Sequence, residues 1–589
     1  VAPLPAGAAL PNALHVGRAE SARLLGDPAG AWASEGPLAR FAAAFRDGQG
    51  PDHAAILIRD WHDPADPATR AHLDHFGDHC LRGSPGARFV EALQPLLPRA
   101  RVVDSAILSD FVGTGLEPLL RELLGPEPEV RAGLIGVWTD VKVRYLAYDL
   151  MTRLGLQQIA VCSALCASRS RLQHREALQH LEDALGVEVI DSIPGFLEWL
   201  GARGAPRPLA ARGRPAPRIS GVSLGDEERR LVEHLFRDCR EVHLAPLSGG
   251  FSGSRVFRSA STDVRGLGEV PFVVKIDSHA RIARERVAVE SVENLLGAAS
   301  PRLADYVDLE TLGAIKYQFA TMHGGEVRTL RQAYRAAATP AEVEALFEAV
   351  IKRVLARLYQ RPVLDRMALA ESYGCRRFAG ETLESIGALC AGEDGSTLVL
   401  PFTGDRLPHP RRFYHGLEGQ EEPLEVACAW VHGDLNLANV LLDEAGNVWL
   451  IDYFWTAVDH ALKDVAKLEN DLKFLMVPLP DDAALSRAIA WERRLLAQDD
   501  LLAPPPALPA ELLGDPGIAR AHAAISRLRR LGAALLSEAG LRGVVGPRQY
   551  HLAQIRYSAH SLTFAECDPR QRAFALASTC LLAERLAAP

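Results

Sequence analysis

No stretch of the 589-residue chain approaches 18 uninterrupted apolar residues, so no segment reads as a membrane-crossing helix. The opening residues, VAPLPAGAALPNALHVG, lack the basic n-region and apolar h-region of a secretory signal, and the expectation is a soluble, cytoplasmic protein. A basic excess is also missing. Sixty-five Lys+Arg stand against 74 Asp+Glu, a formal net charge of −9, which disfavours a nucleic-acid binder running on a global positive field and leaves only local basic patches. The nine cysteines include no CxxC pair and no Cys/His spacing of a structural zinc site, which argues against a disulfide framework and a zinc finger and predicts reduced thiols. There is no internal repeat with a period of about 20 to 50 residues, so a solenoid or propeller is not expected.

What is present is ordinary globular composition, 48 % hydrophobic and 24 % charged, in a chain long enough at about 150 residues per domain for roughly three or four domains. The clearest break is 201–218, GARGAPRPLAARGRPAPR, which has no hydrophobic periodicity and no acidic residue and predicts a solvated linker. Its arginines, Arg203, Arg207, Arg212, Arg214 and Arg218, give a local basic character. Before it, the short apolar runs AAILIRD, ARVVDS, AGLIGVW and QIAVCSA alternate with segments of helical period such as GARFVEALQPLL and VKVRYLAYDLMTRLG. Unbroken apolar strands spaced by helices predict an α/β domain over 1–200 with a parallel sheet covered on both faces. After the linker, a strand-rich lobe over 219–330 precedes a helical lobe over 331–500, the order of an α+β, two-lobed kinase-like fold. A Pro-rich break near 501–517 sets off a helical C-terminal extension over 501–589.

The most informative stretch is WVHGDLNLANVLLDEAGNVWLIDYFWT, residues 430–456. It presents H-x-D, then Asn after four residues, then a short hairpin, then an apolar strand leading to Asp. Phosphoryl transfer to a hydroxyl needs a carboxylate near that hydroxyl and oxygen ligands for Mg²⁺ close by, and Asp434, Asn439 and Asp452 supply them. Upstream, Ser248, Gly249, Gly250, Phe251, Ser252 and Gly253 form a small-residue turn whose amides suit phosphates. Lys275 follows on the next strand as the cation for the α/β-phosphates. Glu285 is the expected ion-pair partner of Lys275, with Glu290 as the fallback.

At these residues the sequence resembles the aminoglycoside phosphotransferase and choline kinase-like family over roughly 225–480. His432-Gly433-Asp434 with Asn439 looks like that family's catalytic loop, and Ile451-Asp452-Tyr453 stands where protein kinases carry DFG. The resemblance implies ATP and Mg²⁺ as cofactors, with Asp434 as base or hydroxyl orienter. It further implies Asn439 and Asp452 as Mg²⁺ ligands, and Lys275 with Glu285 as a nucleotide clamp. The segment HALKDVAKLENDLKF and the tail from Tyr550 also resemble the ternary-complex-associated kinase-like branch, which would make the acceptor a macromolecule or a signal.

Residues 54–200 resemble the isochorismatase-like cysteine hydrolase superfamily, on RDWHDP, HFGDHCLRGSPGARF, DFVGTGLEPLL and GVWTDVKVRYLAYDL. Those hydrolases need a Cys thiolate, a Lys that lowers its pKa and an Asp that relays the proton. Here Lys142 stands at the nucleophile position, Gly17 at the relay position, and Asp104 is the nearest charged residue where the activating Lys is expected. A lysine forms no thioester, so loss of hydrolysis is expected. Asp60, His62, His75 and His79 match the nicotinamidase-type metal set, a donor set suited to Zn²⁺ or Fe²⁺. Cys80 and Cys162 are expected as buried small hydrophobes near the pocket.

The sequence therefore predicts an ATP·Mg-dependent phosphotransferase acting on a hydroxyl acceptor, fused to a non-hydrolytic isochorismatase-like domain. Two alternatives stand beside it. One is a non-catalytic nucleotide-binding scaffold or sensor in a bacterial signalling or conflict system, and the other an N-terminal hydrolase with an unusual nucleophile. Partners are a nucleotide and the acceptor. A protein partner in a signalling system and a homo-oligomer through the N-terminal domain stay open, while nucleic acid and membrane are not expected.

Overall fold

The computed structural model describes the chain except residues 1–15, 27–35, 126–129, 205–214, 248–253, 319–326, 391–395, 418–420, 445, 504–505, 542–545 and 588–589. The chain forms two compact units, Val1–Ser291 with Arg302–Phe319, and Val292–Pro301 with Ala320–Pro589.

The first unit begins with the α/β domain. The four sequence-predicted strands are present as Ile56–Asp60, Arg101–Ser105, Arg131–Val137 and Gln158–Ala167, with Glu188–Ile190 as a fifth. All their pairings are parallel: Ile56–Asp60 with Arg101–Ser105, and Gln158–Ala167 between Arg131–Val137 and Glu188–Ile190. The run QIAVCSALCA is buried from Ile159 onward because its alternate residues serve two cores. Ala160, Cys162 and Ala164 pack toward Phe41 and Phe196, while Ile159, Val161 and Cys166 pack toward Leu150 and Leu181. GARFVEALQPLL is not the helix its period predicts. It forms two 3₁₀ turns, Pro85–Ala87 and Glu91–Leu96, because Pro95 has no N–H to offer an α-helix.

The same unit holds a six-stranded sheet in the order Arg302–Asp308, Leu312–Gln318, Phe272–Ser278, Arg255–Asp263, Cys239–Pro246, Arg218–Ser220. Only its last pair is parallel. Arg218, expected in the linker, opens a strand instead, and Arg203 ties back through its N–H to the Gly48 carbonyl at 3.1 Å. Arg207, Arg212 and Arg214 lie outside the described residues. Two helices flank the sheet in sequence, Asp226–Leu235 and His279–Leu296. Leu231, Val232 and Leu235 of the first pack against Val274 and Ile276 of the Lys275 strand.

The second unit is helix-rich, which completes the order of a kinase-like fold. Its catalytic-loop segment follows the strand Leu424–Val431, which pairs antiparallel with Val363–Met367 and Ala457–His460. The predicted hairpin is Val440–Leu442 with Val448–Leu450. Helix Lys463–Phe474 is buried at every position from Asp464 on. The long C-terminal helices Pro516–Glu538, Pro547–Ser561 and Pro569–Ala587 pack on it, so the extension is built into this unit. No described helix is long and apolar enough to cross a membrane.

Candidate functional site

In the α/β domain the strand Ile56–Asp60 and the turn Thr139–Val143 bring Asp60 and Lys142 to one cavity of about 280 Å³, also lined by Cys80, Asp110 and Leu165. Lys142 Nζ donates to Ser105 Oγ at 2.9 Å, to the Ile107 carbonyl at 2.5 Å and to Asp110 Oδ1 at 2.7 Å, and it lies 3.0 Å from Asp60 Oδ1. An ammonium has three N–H bonds, so its donors are fully engaged by these protein oxygens. Burial opposes its charge, but Asp60 and Asp110 outweigh burial and raise its pKa. Burial in turn raises the Asp110 carboxyl, against the pull of Lys142.

Two expectations change here. Asp104 points away from this cavity, because strand alternation turns Ser105 inward and Asp104 outward, where it accepts from Arg59 at 2.7 Å. Gly17 is not on a strand; it precedes helix Arg18–Leu25, and the carboxylates that meet Lys142 are those of Asp60 and Asp110. Cys80 lines the cavity and donates to the Gly86 carbonyl. Cys162 is fully buried in the core, and burial pushes its thiol up.

Beside Lys142 lies a histidine cluster of His62, His72 and His79, with ring nitrogens within 4.8 Å of one another. His62 Nδ1 and His79 Nδ1 donate to the carbonyls of Ala106 and Gly77 at 3.0 and 2.8 Å, which leaves both Nε2 atoms as lone-pair donors to a cation. Asp60 Oδ2 lies 4.0 Å from His62 Nε2 and 3.9 Å from His79 Nε2, and His72 Nε2 is 3.3 Å from His79 Nε2. These are the separations of ligands about 2.1 Å from a common ion. Among the described residues, His62 Nε2 is buried without a hydrogen-bond partner, so its lone pair is unused. Burial lowers the pKa of His62, and burial with the neighbouring imidazoles takes His72 down to about 4, so both are neutral ligands at physiological pH. His75 is replaced in this set by His72. On helix Pro67–Phe76 the inward positions are Thr69, His72 and Leu73, while His75 is exposed. That helical phase was the signal in the sequence that would have chosen His72.

In the strand-rich part, Lys275 Nζ is 2.7 Å from Glu285 Oε2, and both side chains are buried. The Tyr317 hydroxyl donates to the other Glu285 oxygen at 2.9 Å. Glu290, the fallback, is engaged elsewhere, with Arg171, Arg175 and Arg286. The turn Ser248–Gly253 lies outside the described residues.

In the second unit, the loop around Asp434 is held from beneath. Asp464 accepts the N–H groups of His432 at 2.7 Å and Gly433 at 2.9 Å, and Asp471 accepts that of Leu437 at 3.0 Å. Burial raises the Asp464 carboxyl although His432 and both amides favour its anion. Gly433 has φ +84°, and a Cβ there would meet the Trp455 carbonyl oxygen at 2.2 Å, so only glycine fits. His432 is fully buried and its Nε2 donates to the Ile451 carbonyl at 3.0 Å, tying the loop to the residue before Asp452. Asn439 donates its amide to the Asp434 carbonyl at 2.9 Å, which leaves its side-chain oxygen as an acceptor. Asp452 holds φ +68°, a sparsely populated backbone for a non-glycine residue. Asp434 itself is 31 % exposed, and Lys467 Nζ lies 2.9 Å from its Oδ1. Burial opposes the Lys467 charge, and Asp434 and Asp471 outweigh it. Asp464, Lys467 and Asp471 were missed as functional residues. Their one sequence signal is that charges fall on every side of a helix, HALKDVAKLENDLKF, which is buried all round.

An isochorismatase-like α/β domain followed by a kinase-like region with an ordered H-x-D loop is the class that fold and site define. The chain belongs to the family described as ternary complex associated domain 9, whose model matches residues 239–385 and 381–563. Residues 36–193 match the isochorismatase domain. Among solved structures, the nicotinamidase/pyrazinamidase of Bacillus subtilis is 26 % identical over 26 % of this chain and 80 % of its own, with a TM-score of 0.23. The pyrazinamidase/nicotinamidase of Streptococcus mutans UA159 is 28 % identical over 26 % of this chain and 88 % of its own, with a TM-score of 0.23. A glucosamine kinase solved with glucosamine, ADP and inorganic phosphate is 16 % identical over 65 % of this chain and 92 % of its own, with a TM-score of 0.36. No curated protein matches.

Proposed function

We propose that this protein is an ATP·Mg-dependent phosphotransferase that phosphorylates a hydroxyl-bearing acceptor. The observation that carries the proposal is the Asp434 loop, a partly exposed carboxylate on a backbone pinned by Asp464 through two hydrogen bonds, to His432 and Gly433. Such preorganisation serves a group that must meet a reacting hydroxyl. In this reading Asp434 accepts the hydroxyl proton or orients it. Asn439 and Asp452 offer an oxygen-only donor set, which suits Mg²⁺, and that ion when bound neutralises phosphate charge. Lys275, fixed by Glu285, compensates the α/β-phosphates. Calorimetry tests it: wild type should bind Mg·ATP and Lys275→Ala should bind about tenfold or more weakly. No binding by wild type overturns the proposal.

A second reading, a non-catalytic nucleotide-binding scaffold or sensor in a bacterial signalling or conflict system, is favoured by the hold of Lys467 on Asp434. Equal basal ATP hydrolysis by wild type and Asp434→Asn would favour it.

For the N-terminal domain we infer a binding role without hydrolysis. Lys142 offers no sulfur for an acyl intermediate and its N–H groups are engaged by Ser105, Ile107, Asp110 and Asp60. Asp60 with His62, His72 and His79 would hold Zn²⁺ or Fe²⁺, which when bound supplies a Lewis acid at the cavity wall.

A further inference from the structure

Helix His279–Leu296 carries Glu285 toward Lys275, and on another face it carries Arg286 and Glu290, one turn apart. Arg286 stacks its guanidinium on Tyr306 of the sheet at 4.8 Å, and both side chains also reach beyond it. Glu290 is 3 % exposed and its carboxylate is shared by Arg286 of its own helix and by Arg171 and Arg175 of helix Arg171–Leu185 in the isochorismatase-like domain. Arg286, fully buried, reaches into that domain with Nη2, donating to Ser163 Oγ at 3.1 Å and to the Asp191 carbonyl at 3.0 Å. Two further contacts flank these. His279 Nδ1 lies 3.1 Å from Ser192 Oγ at the start of the helix, and Asp308 accepts the Ile193 N–H at 2.9 Å and pairs with Arg40 at 3.3 Å. The helix that presents Glu285 is therefore fastened at His279, Arg286 and Glu290 to a domain with another core.

We propose that Arg171, Arg175 and Glu290 are positioning residues for the nucleotide clamp, and that the isochorismatase-like domain acts in cis to hold Glu285 on Lys275. The physical ground is rigidity. Glu285 and Glu290 lie five residues apart on one helix, about 7.5 Å along its axis, so a shift at one is passed to the other. Arg171 and Arg175 each pair with a different oxygen of this one buried carboxylate, so Glu290 is held from two points on the neighbouring helix. The helix that supplies these arginines also carries His174, whose Nδ1 lies 2.8 Å from the Thr139 hydroxyl in the turn that bears Lys142. The degenerate pocket and the clamp helix thus share one buried hydrogen-bonded framework, which gives a domain without hydrolysis a structural task.

This inference rests on reading Lys275 with Glu285 as the clamp, and the test separates the two. In the full chain, Arg175→Gln is compared with wild type by the rate at which acetic anhydride labels Lys275, by hydrogen exchange over residues 279–296, and by affinity for Mg·ATP. Expected are about tenfold faster labelling and exchange, about tenfold weaker Mg·ATP binding, and near-complete recovery with Arg175→Lys. In a Glu285→Gln background Arg175→Gln should weaken Mg·ATP binding less than twofold further, because the group it positions is already gone. If Arg175→Gln does not fold, Ser163→Ala carries the same comparison at roughly threefold. Unchanged labelling of Lys275, or the same loss of affinity with and without Glu285, overturns the proposal. Wild type that fails to bind Mg·ATP removes the phosphotransferase reading, while the labelling and exchange rates still decide whether the domain positions Glu285.

Discussion

Lys142 in the first unit and Lys467 in the second both sit against aspartates, Lys142 at 3.0 Å from Asp60 and 2.7 Å from Asp110, Lys467 at 2.9 Å from Asp434. Around Lys142 the circle is closed, with carboxylate partners only 10 % and 4 % exposed and with Ser105 and Ile107 as two further acceptors around its three N–H bonds. Around Lys467 it is open on one side, since Asp434 keeps 31 % of its side chain exposed and, among the described residues, its second oxygen receives only Asn436 at 3.2 Å. A cation whose donors are all used stabilises the anions around it and offers nothing to a ligand. A carboxylate held by one cation, with a free approach, is oriented and still able to accept a proton. The same pair of residue types is thus structural in one unit and suited to chemistry in the other.

The largest effect should come from breaking the open side. Asp434→Asn is expected to lower basal ATP hydrolysis or transfer by about 10²–10⁴-fold while leaving Mg·ATP affinity within about twofold, because the carboxylate acts on the hydroxyl. Steady-state rates beside calorimetry on the same preparation check both halves.

The second unit should also lose stability in acid through Glu469. Burial would raise this carboxyl, but Arg529 and Lys473 outweigh burial and hold it at about 2 against an ordinary 4.5. A carboxylate lowered on folding contributes its stability fully above pH 4.5 and loses it as the pH falls toward 2, a contribution of at most about 3 kcal/mol. Urea midpoints measured between pH 6 and 3 should fall in wild type, and the slope should flatten in Glu469→Gln. A parallel slope in the variant would move the acid response to other groups.

On the closed side, metal content is the sharper probe. His62→Ala and His72→Ala should each lower affinity for Zn²⁺ about tenfold or more, whereas His75→Ala should leave it unchanged. Elemental analysis after equilibration with limiting Zn²⁺ reads this directly, and equal depletion by His75→Ala would restore the set that the resemblance implies. The smallest effect is expected from Lys142→Cys, which should produce no nicotinamidase turnover. Its thiol would sit against Asp60 and Asp110 without an activating lysine, and an ordinary thiol near pKa 8.5 is only a few per cent thiolate at neutral pH.

Much of this protein was legible in one dimension because its signals are local or strictly ordered. Strands such as QIAVCSALCA announce themselves by unbroken apolar runs, since a strand buried on both faces has no polar position to show. The H-x-D loop, its Asn and the following Asp lie within one stretch of chain, and their order alone placed Asp434, Asn439 and Asp452 on one loop and hairpin. What tertiary structure decided is which distant groups share a charge. His72 instead of His75 follows from which face of a helix meets Asp60 and His62, and Asp110 and Ser105 reach Lys142 only once their strand and loop are folded. Asp464 and Asp471 lie about 30 residues or more from the loop amides they accept, and only the fold brings them beneath the Asp434 loop. Glu290 stood as the fallback to Glu285 for the clamp, and the fold separates the two by giving Glu285 to Lys275 and Glu290 to arginines of another domain. A sequence records the periodicity and order of groups, whereas the partner of a buried charge is set by whichever opposite charge the fold brings within about 3 Å, at any distance along the chain.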